Sequence, residues 1–158
     1  MAAAHEYNFT DDCRLSIVQA RFEALRLGAR VVDAGHLVLG VTKTIGQSTF
    51  DRLFPDPGRF AQLCRSLGAV EAAAPVSAED ITYSTDAMEA ITGAMHCAAA
   101  VSDGAIAPLH LLLGVHRPRQ QPESAMAGPS FASDLLDGAG VTVIRLEELV
   151  AGAPRECA

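Results

Sequence analysis

The sequence predicts an all-α fold made of two copies of one four-helix repeat, about eight helices in all. Three observations carry that expectation. The chain aligns with itself without a gap at an offset of 74 residues (Phe9 to Tyr83, His36 to His110), the mark of an internal structural repeat. Apolar residues in each copy recur at spacings of three and four rather than in strict alternation, which is the period of a helix with one buried face. Apolar residues make up 49% of the chain but aromatics only 5%, with no Trp. The core is therefore Leu, Val, Ile and Ala, and Ala both favours helix and fills tight helix contacts.

The first copy opens on Phe9-Thr10-Asp11-Asp12. Thr10 or Asp11 can cap the free backbone N–H groups of a helix start, and Asp11 and Asp12 suit the positive end of its dipole. Leu15, Ile17, Val18, Phe22, Leu25 and Leu27 follow, several at helical spacing, and are expected to form the buried face. Gly28 fits the helix C-terminus, where the left-handed conformation favours glycine. Asp33 is a plausible cap for a second helix carrying His36-Leu37-Val38-Leu39-Gly40-Val41. Shorter helices are predicted over 49–54 and 59–67, separated by the Pro/Gly-rich break at 54–58.

The second copy runs Tyr83-Ser84-Thr85-Asp86 to His110-Leu111-Leu112-Leu113-Gly114-Val115. Ser84 or Thr85 takes the capping place, and Pro108 falls in a first helical turn, where proline is tolerated. Asp12 aligns with Asp86, Ile17 with Ile91, Ala20 with Ala94 and Ala24 with Ala98. Helices over 131–136 and 141–150 complete the copy. One double-repeat domain is expected over 7–150: repeat one at 7–70, a linker at 71–80, repeat two at 81–150. A Pro-rich, apolar-poor segment at 117–129 is expected to be a mobile loop. Packing of the two units about a pseudo-twofold axis is expected to bury the long first helices and leave a groove at their junction.

Charge and composition exclude several functions. A formal net charge of −7 argues against nucleic acid, whose phosphates attract basic surfaces, and against anionic membrane surfaces. The start Met1-Ala-Ala-Ala-His5-Glu6 lacks the basic region and apolar core of a signal peptide. No apolar run approaches the roughly 20 residues that cross a bilayer, so a cytoplasmic location is expected. Cys13, Cys64, Cys97 and Cys157 form no Cys-x-x-Cys pair and no zinc-type spacing with histidine; they read as free thiols. His36 and His110, at matching places in apolar helices, read as structural histidines whose ring nitrogens bond nearby backbone. His96 and Cys97, adjacent in a helix, point apart, and Ser84 and Ser102 lack a nucleophile-elbow pattern. Glu147 and Glu148 read as a solvated helix face. No catalytic set, metal or cofactor is expected.

The repeated aromatic-Thr/Ser start and the His-Leu-x-Leu-Gly-Val end resemble the double Clp repeat, the N-terminal domain of the ClpA, ClpB and ClpC unfoldases. The resemblance spans roughly 7–150 and implies the same all-α fold. The sequence has no Gly-x-x-x-x-Gly-Lys-Ser/Thr phosphate loop, so it looks like a free-standing N-domain without a motor. Such domains receive substrates, adaptor proteins and certain cyclic peptide antibiotics for the Clp protease machine. By the family pattern the starts of the two first helices approach one another and form a peptide-binding surface. Phe9, Arg14, Val18 and Arg21 would lie on one side, and Tyr83, Met88 and Thr92 on the other. Phe9 and Tyr83 have a second reading, as packing anchors at the helix starts; Met88 likewise has a core reading.

One departure bears on the ligand. In the ClpC-type domains that this chain resembles, a glutamate precedes each repeat's histidine and helps hold the guanidinium of phosphoarginine. Here the runs are Asp33-Ala34-Gly35-His36 and Ala107-Pro108-Leu109-His110. Gly35 and Leu109 cannot pair with a cation, so phosphoarginine recognition is expected to be lost or strongly weakened. The expected role is non-catalytic: a peptide- and protein-binding module that modulates ClpC-dependent proteolysis by sequestering cyclic peptide antibiotics or competing for ClpC ligands. The alternative is an adaptor that binds the ClpC hexamer and delivers substrates.

Overall fold

The computed structural model describes residues 8–67, 81–101, 105–116 and 131–152. The expected linker at 71–80 and loop at 117–129 lie outside them, as do Ser102 and Cys157. Among the described residues the first copy holds α1 (Asp11–Arg26), α2 (Ala34–Thr42), α3 (Gln47–Leu53) and α4 (Pro57–Leu67). The second holds α5 (Thr85–Val101), α6 (Pro108–His116), α7 (Phe131–Gly138) and α8 (Val143–Gly152). The all-α expectation holds, with helix bounds close to those read from sequence. The break at 54–58 is shorter than expected because Pro57 and Gly58 already belong to α4. Proline loses nothing at a first helical position, and the Asp56 carboxylate accepts the Gly58 N–H at 2.9 Å.

The caps follow the sequence. Thr10 Oγ1 accepts the Cys13 N–H at 3.1 Å, and Ser84 Oγ accepts the Ala87 N–H at 3.2 Å. Asp33 and His36 form a reciprocal capping box. Gly28 ends α1 at φ 71°, the left-handed conformation expected of it.

Four two-residue strands among the described residues were not anticipated. β1 (Asn8–Phe9) pairs in parallel with β4 (Ala105–Ile106), and β2 (Val31–Val32) with β3 (Thr82–Tyr83). The offset of 74 exchanges one pair for the other: Asn8 corresponds to Thr82 and Ala105 to Val31. The pairs are thus the two halves of one pseudo-twofold arrangement, each tying one repeat to the other. The caps extend the ladders. The Thr10 N–H donates to the Ile106 carbonyl at 3.1 Å, and the Ser84 N–H to the Val32 carbonyl at 2.9 Å.

The burial expected of the long first helices falls instead to the short second ones. Every residue from Ala34 to Val41 in α2, and from Pro108 to His116 in α6, is buried. Both helices are apolar on all sides, which suits a central position. They pack on each other across the repeat junction, α1 covers α2 and α5 covers α6. The first helices therefore keep one face in solvent.

The inward face of α1 is also not the one its large residues suggested. Cys13, Ser16, Ala20, Glu23 and Ala24 are buried, whereas Leu15, Val18 and Phe22 are 47%, 45% and 58% exposed. In α5 the equivalent positions Ala87, Ala90, Ala94 and Ala98 are buried. Small residues are needed because α2 and α6 approach with glycine. A Cβ on Gly40 would overlap the Ser16 carbonyl oxygen, and one on Gly114 the Ala90 carbonyl oxygen. Each first helix thus meets its second helix backbone to backbone.

Candidate functional site

The strand pairs decide where the two leading aromatics sit. Phe9 stands in register with Ile106, and Tyr83 with Val32, so each is laid against the opposite repeat. Both are half-buried and packed on the core, which accounts for them as anchors of the helix starts while leaving part of each ring accessible.

The remaining candidates lie on the solvent sides of α1 and α5. Arg14 is exposed, with its guanidinium 3.8 Å from the Asp11 carboxylate. Val18 and Arg21 follow at one- and two-turn intervals, both exposed. On α5, Met88 is 50% exposed, and the exposed Thr92 donates its hydroxyl to the Met88 carbonyl at 2.9 Å. The candidates are related by the repeat: Phe9 corresponds to Tyr83, Arg14 to Met88 and Val18 to Thr92. α1 packs chiefly on α2 and α5 chiefly on α6. The candidates therefore form two exposed sets, one per repeat, each led by a half-buried aromatic.

Leu15 and Phe22 were misplaced by the sequence reading, which assigned them to the core. The alanine match at positions 20/94 and 24/98 is the sequence signal of the inward stripe, too weakly apolar to mark a buried face without the structure. Large side chains at spacings of three and four mark a face; they do not say which way it points when a stripe of small residues stands opposite.

The buried histidines, Glu23 and the cysteines Cys13 and Cys64 are in structural surroundings. The His36 ring Nδ1 accepts the Asp33 N–H at 3.0 Å, and His110 Nδ1 accepts the Ala107 N–H at 2.9 Å. The structural reading of both histidines holds. The His110 Nε2 is buried without a hydrogen-bond partner, and burial holds its ring below the ordinary histidine pKa. Glu23, buried in α1, is bonded by Arg26, at 2.7 Å from one guanidinium nitrogen, and by the Lys43 ammonium. Burial works to raise its carboxyl, but the bonds from Arg26 and Lys43 prevail and hold it below its usual range. Burial pushes the Cys13 thiol up to about 12 and raises Cys64 as well, the opposite of what a nucleophilic cysteine needs. Among the described residues no group of three or more His, Cys, Asp or Glu side chains is placed to hold a metal, and no helix is long and apolar enough to cross a membrane. Gly35 and Leu109 are buried in the first turns of α2 and α6.

No family model matches the sequence, and no curated protein sequence matches it. Solved structures do match. The N-terminal domain of the caseinolytic protease associated chaperone ClpD from Arabidopsis thaliana superposes with a TM-score of 0.60 at 18% identity, covering 91% of this chain and 95% of that one. A chain solved in preliminary structural investigations of a malarial protein secretion system superposes with a TM-score of 0.74 at 14% identity, covering 91% of this chain and 92% of that one. The architecture described above is that of a Clp N-terminal-like domain.

Proposed function

We propose that this chain is a non-catalytic peptide- and protein-binding module that modulates ClpC-dependent proteolysis, by sequestering ClpC-targeting cyclic peptides or competing for ClpC ligands. The observation that carries the reading is the exposure of Val18 on α1 and Met88 on α5, with Phe9 and Tyr83 half-buried on the strands that lead into those helices, in a Clp N-terminal-like fold. A flexible thioether and partly accessible rings suit adaptable apolar recognition, and Arg14 and Arg21 supply polar contacts at the edge. The titratable groups described above all have structural partners or raised thiol pKa values, which favours binding over catalysis. A cytoplasmic location fits that role.

The test is calorimetric titration with a ClpC-targeting cyclic peptide, run beside a pull-down against the ClpC hexamer. Tyr83→Ala combined with Met88→Ala is expected to weaken peptide binding about tenfold or more, the loss of roughly 1.4 kcal/mol. Unchanged affinity overturns the placement of the site. Free phosphoarginine is expected to give no micromolar binding, because no carboxylate stands at Gly35 or Leu109 and charge-assisted bonds of about 1.5–3 kcal/mol each are missing. The second reading, an adaptor docking on the hexamer, is favoured by the exposed Leu15 and Phe22 on α1. It predicts co-purification with the hexamer, whereas a decoy binds the peptide and leaves the hexamer alone.

A further inference from the structure

The two histidine caps match in place but not in surroundings. At the start of α2, His36 Nδ1 accepts the Asp33 N–H and also lies 3.1 Å from an Asp33 carboxylate oxygen. The offset of 74 sets Ala107 where Asp33 stands, so His110 Nδ1 accepts the Ala107 N–H with no carboxylate at that place. Each cap is joined to a seam between the repeats. Ala107 follows Ile106 of β4, whose carbonyl accepts the Thr10 N–H at 3.1 Å and the Thr10 hydroxyl at 3.2 Å, and β4 holds β1 with Phe9. Asp33 follows Val32 of β2, whose carbonyl accepts the Ser84 N–H at 2.9 Å, and β2 holds β3 with Tyr83.

A proton changes the two caps differently. A protonated ring donates from both nitrogens and accepts from neither. His36 then exchanges the Asp33 N–H for the Asp33 carboxylate, so the same residue stays tied to the ring. His110 becomes a buried cation with no acceptor for either N–H among the described residues. The helices packed on α6 are α5, α2, α8, α1 and α7. On α5 the Asp86 carboxylate is bonded by the Ser84 hydroxyl and the Ala87 N–H, and Glu89 and His96 are exposed. On α2, His36 is held in its own cap. On α1, Glu23 is bonded by Arg26 and Lys43, and Asp11, Asp12, Arg14 and Arg21 are exposed. Asp137 on α7 and Glu147 and Glu148 on α8 are exposed, and the Arg145 guanidinium is turned to the Arg52 carbonyl. His116, on α6 itself, is turned to the Val141 carbonyl. Burial alone lowers the His110 pKa from 6.5.

We infer that mild acid opens the β1–β4 seam while the β2–β3 seam stays closed, a pH-sensitive release built into repeat two. Losing the bond between Ala107 and His110 frees the residue that follows β4, and with it the Ile106 carbonyl that holds Thr10. The opened ring reaches water, which accepts from both of its nitrogens. The open form takes up the proton as the pH falls below about 6.5, and the closed form resists it. One proton favours opening by up to about tenfold per pH unit in that range. Phe9 leads the candidate set of repeat one and moves with β1, so acid withdraws that half of the surface and leaves the Tyr83 half. Only this last consequence rests on the reading of the chain as a binding module.

Amide hydrogen exchange of the full chain, followed by NMR and corrected for the intrinsic effect of pH, reads both seams at once. The Thr10 and Ala107 amides report on one seam, the Ser84 and Asp33 amides on the other. Low urea separates local opening, which it leaves unchanged, from global unfolding, which it accelerates. Between about pH 6.5 and about pH 5, protection of Thr10 and Ala107 is expected to fall at least about fivefold by a urea-indifferent opening. Ser84 and Asp33 are expected to show no such local loss. Ala107→Asp supplies repeat two with the missing carboxylate and is expected to cut the loss at Thr10 to less than about twofold. Asp33→Asn removes the carboxylate of repeat one and is expected to bring the same acid-dependent local loss to the Ser84 amide. No loss at Thr10 and Ala107, loss only by the urea-sensitive route, equal local loss at both seams, or a pH response unchanged in the two variants overturns the inference. Exchange is read without any ligand, so failure of the proposed binding leaves this result standing, and failure here leaves the proposed function standing.

Discussion

Gly40 and Gly114 let α2 and α6 run against the backbones of α1 and α5. Neither glycine has a positive φ; what each supplies is the absence of a side chain. An added methyl at either place would meet a carbonyl oxygen of the facing helix, and backbone cannot move aside as a flexible side chain can. Gly114→Ala is therefore expected to destabilise the domain by about 3 kcal/mol, at the upper end of overpacking costs, seen as a lower urea midpoint. Gly138→Ala, at the last position of α7, is the control. Nothing lies within 4 Å of its added methyl, so its effect should stay within about 0.5 kcal/mol. Equal effects at the two sites would show that the close approach is not what makes Gly114 necessary.

At the scale of the element, each second helix begins with a histidine that caps it from inside. The ring nitrogen accepts a backbone N–H of the residue that follows an inter-repeat strand, Asp33 after β2 and Ala107 after β4. Protonation turns that acceptor into a donor facing an N–H, so the cap works only with a neutral ring. Burial depresses the His110 pKa below its ordinary 6.5. The unfolded chain takes up this proton as the pH falls below about 6.5 while the folded chain resists it. Stability present above that pH is thus lost as the pH falls towards the folded value. Glu23 acts on a lower window. Its depressed carboxyl contributes stability above about 4.5, lost as the pH falls through its folded pKa. Urea midpoints followed from about pH 8 to about pH 2 should decline in two stages. His110→Asn should flatten the upper stage and Glu23→Gln the lower. An upper stage that persists unchanged in His110→Asn would assign the titration to other groups.

At the scale of the whole molecule, neither repeat is complete alone. β1 and β2 find their partners in repeat two, α2 buries one side against α6, and α4 packs on α7 as α3 does on α8. Circular dichroism of a fragment spanning 1–70 should show little helix and no cooperative melt, because short helices without their packing surface are marginal. Mixing it with a fragment spanning 71–158 should restore helix. A fragment that melts cooperatively alone would mean that the repeats are independent units joined by contact, not halves of one core.

The amino-acid sequence by itself determined the repeat, its 74-residue offset, the helices and their caps, because each is written in local signals: periodicity, a capping hydroxyl or carboxylate, a glycine at a helix end. It also determined the structural role of His36 and His110, since matched histidines in apolar helices need backbone partners. Only the tertiary structure decided which face of α1 is buried, that α2 and α6 form the centre, and that four short strands tie the repeats together. Those depend on how closely two backbones approach. Ala and Gly register as weak apolar signals in a sequence, yet they decide which side of a helix can come nearest to its neighbour, and that choice leaves Leu15, Val18 and Phe22 facing solvent.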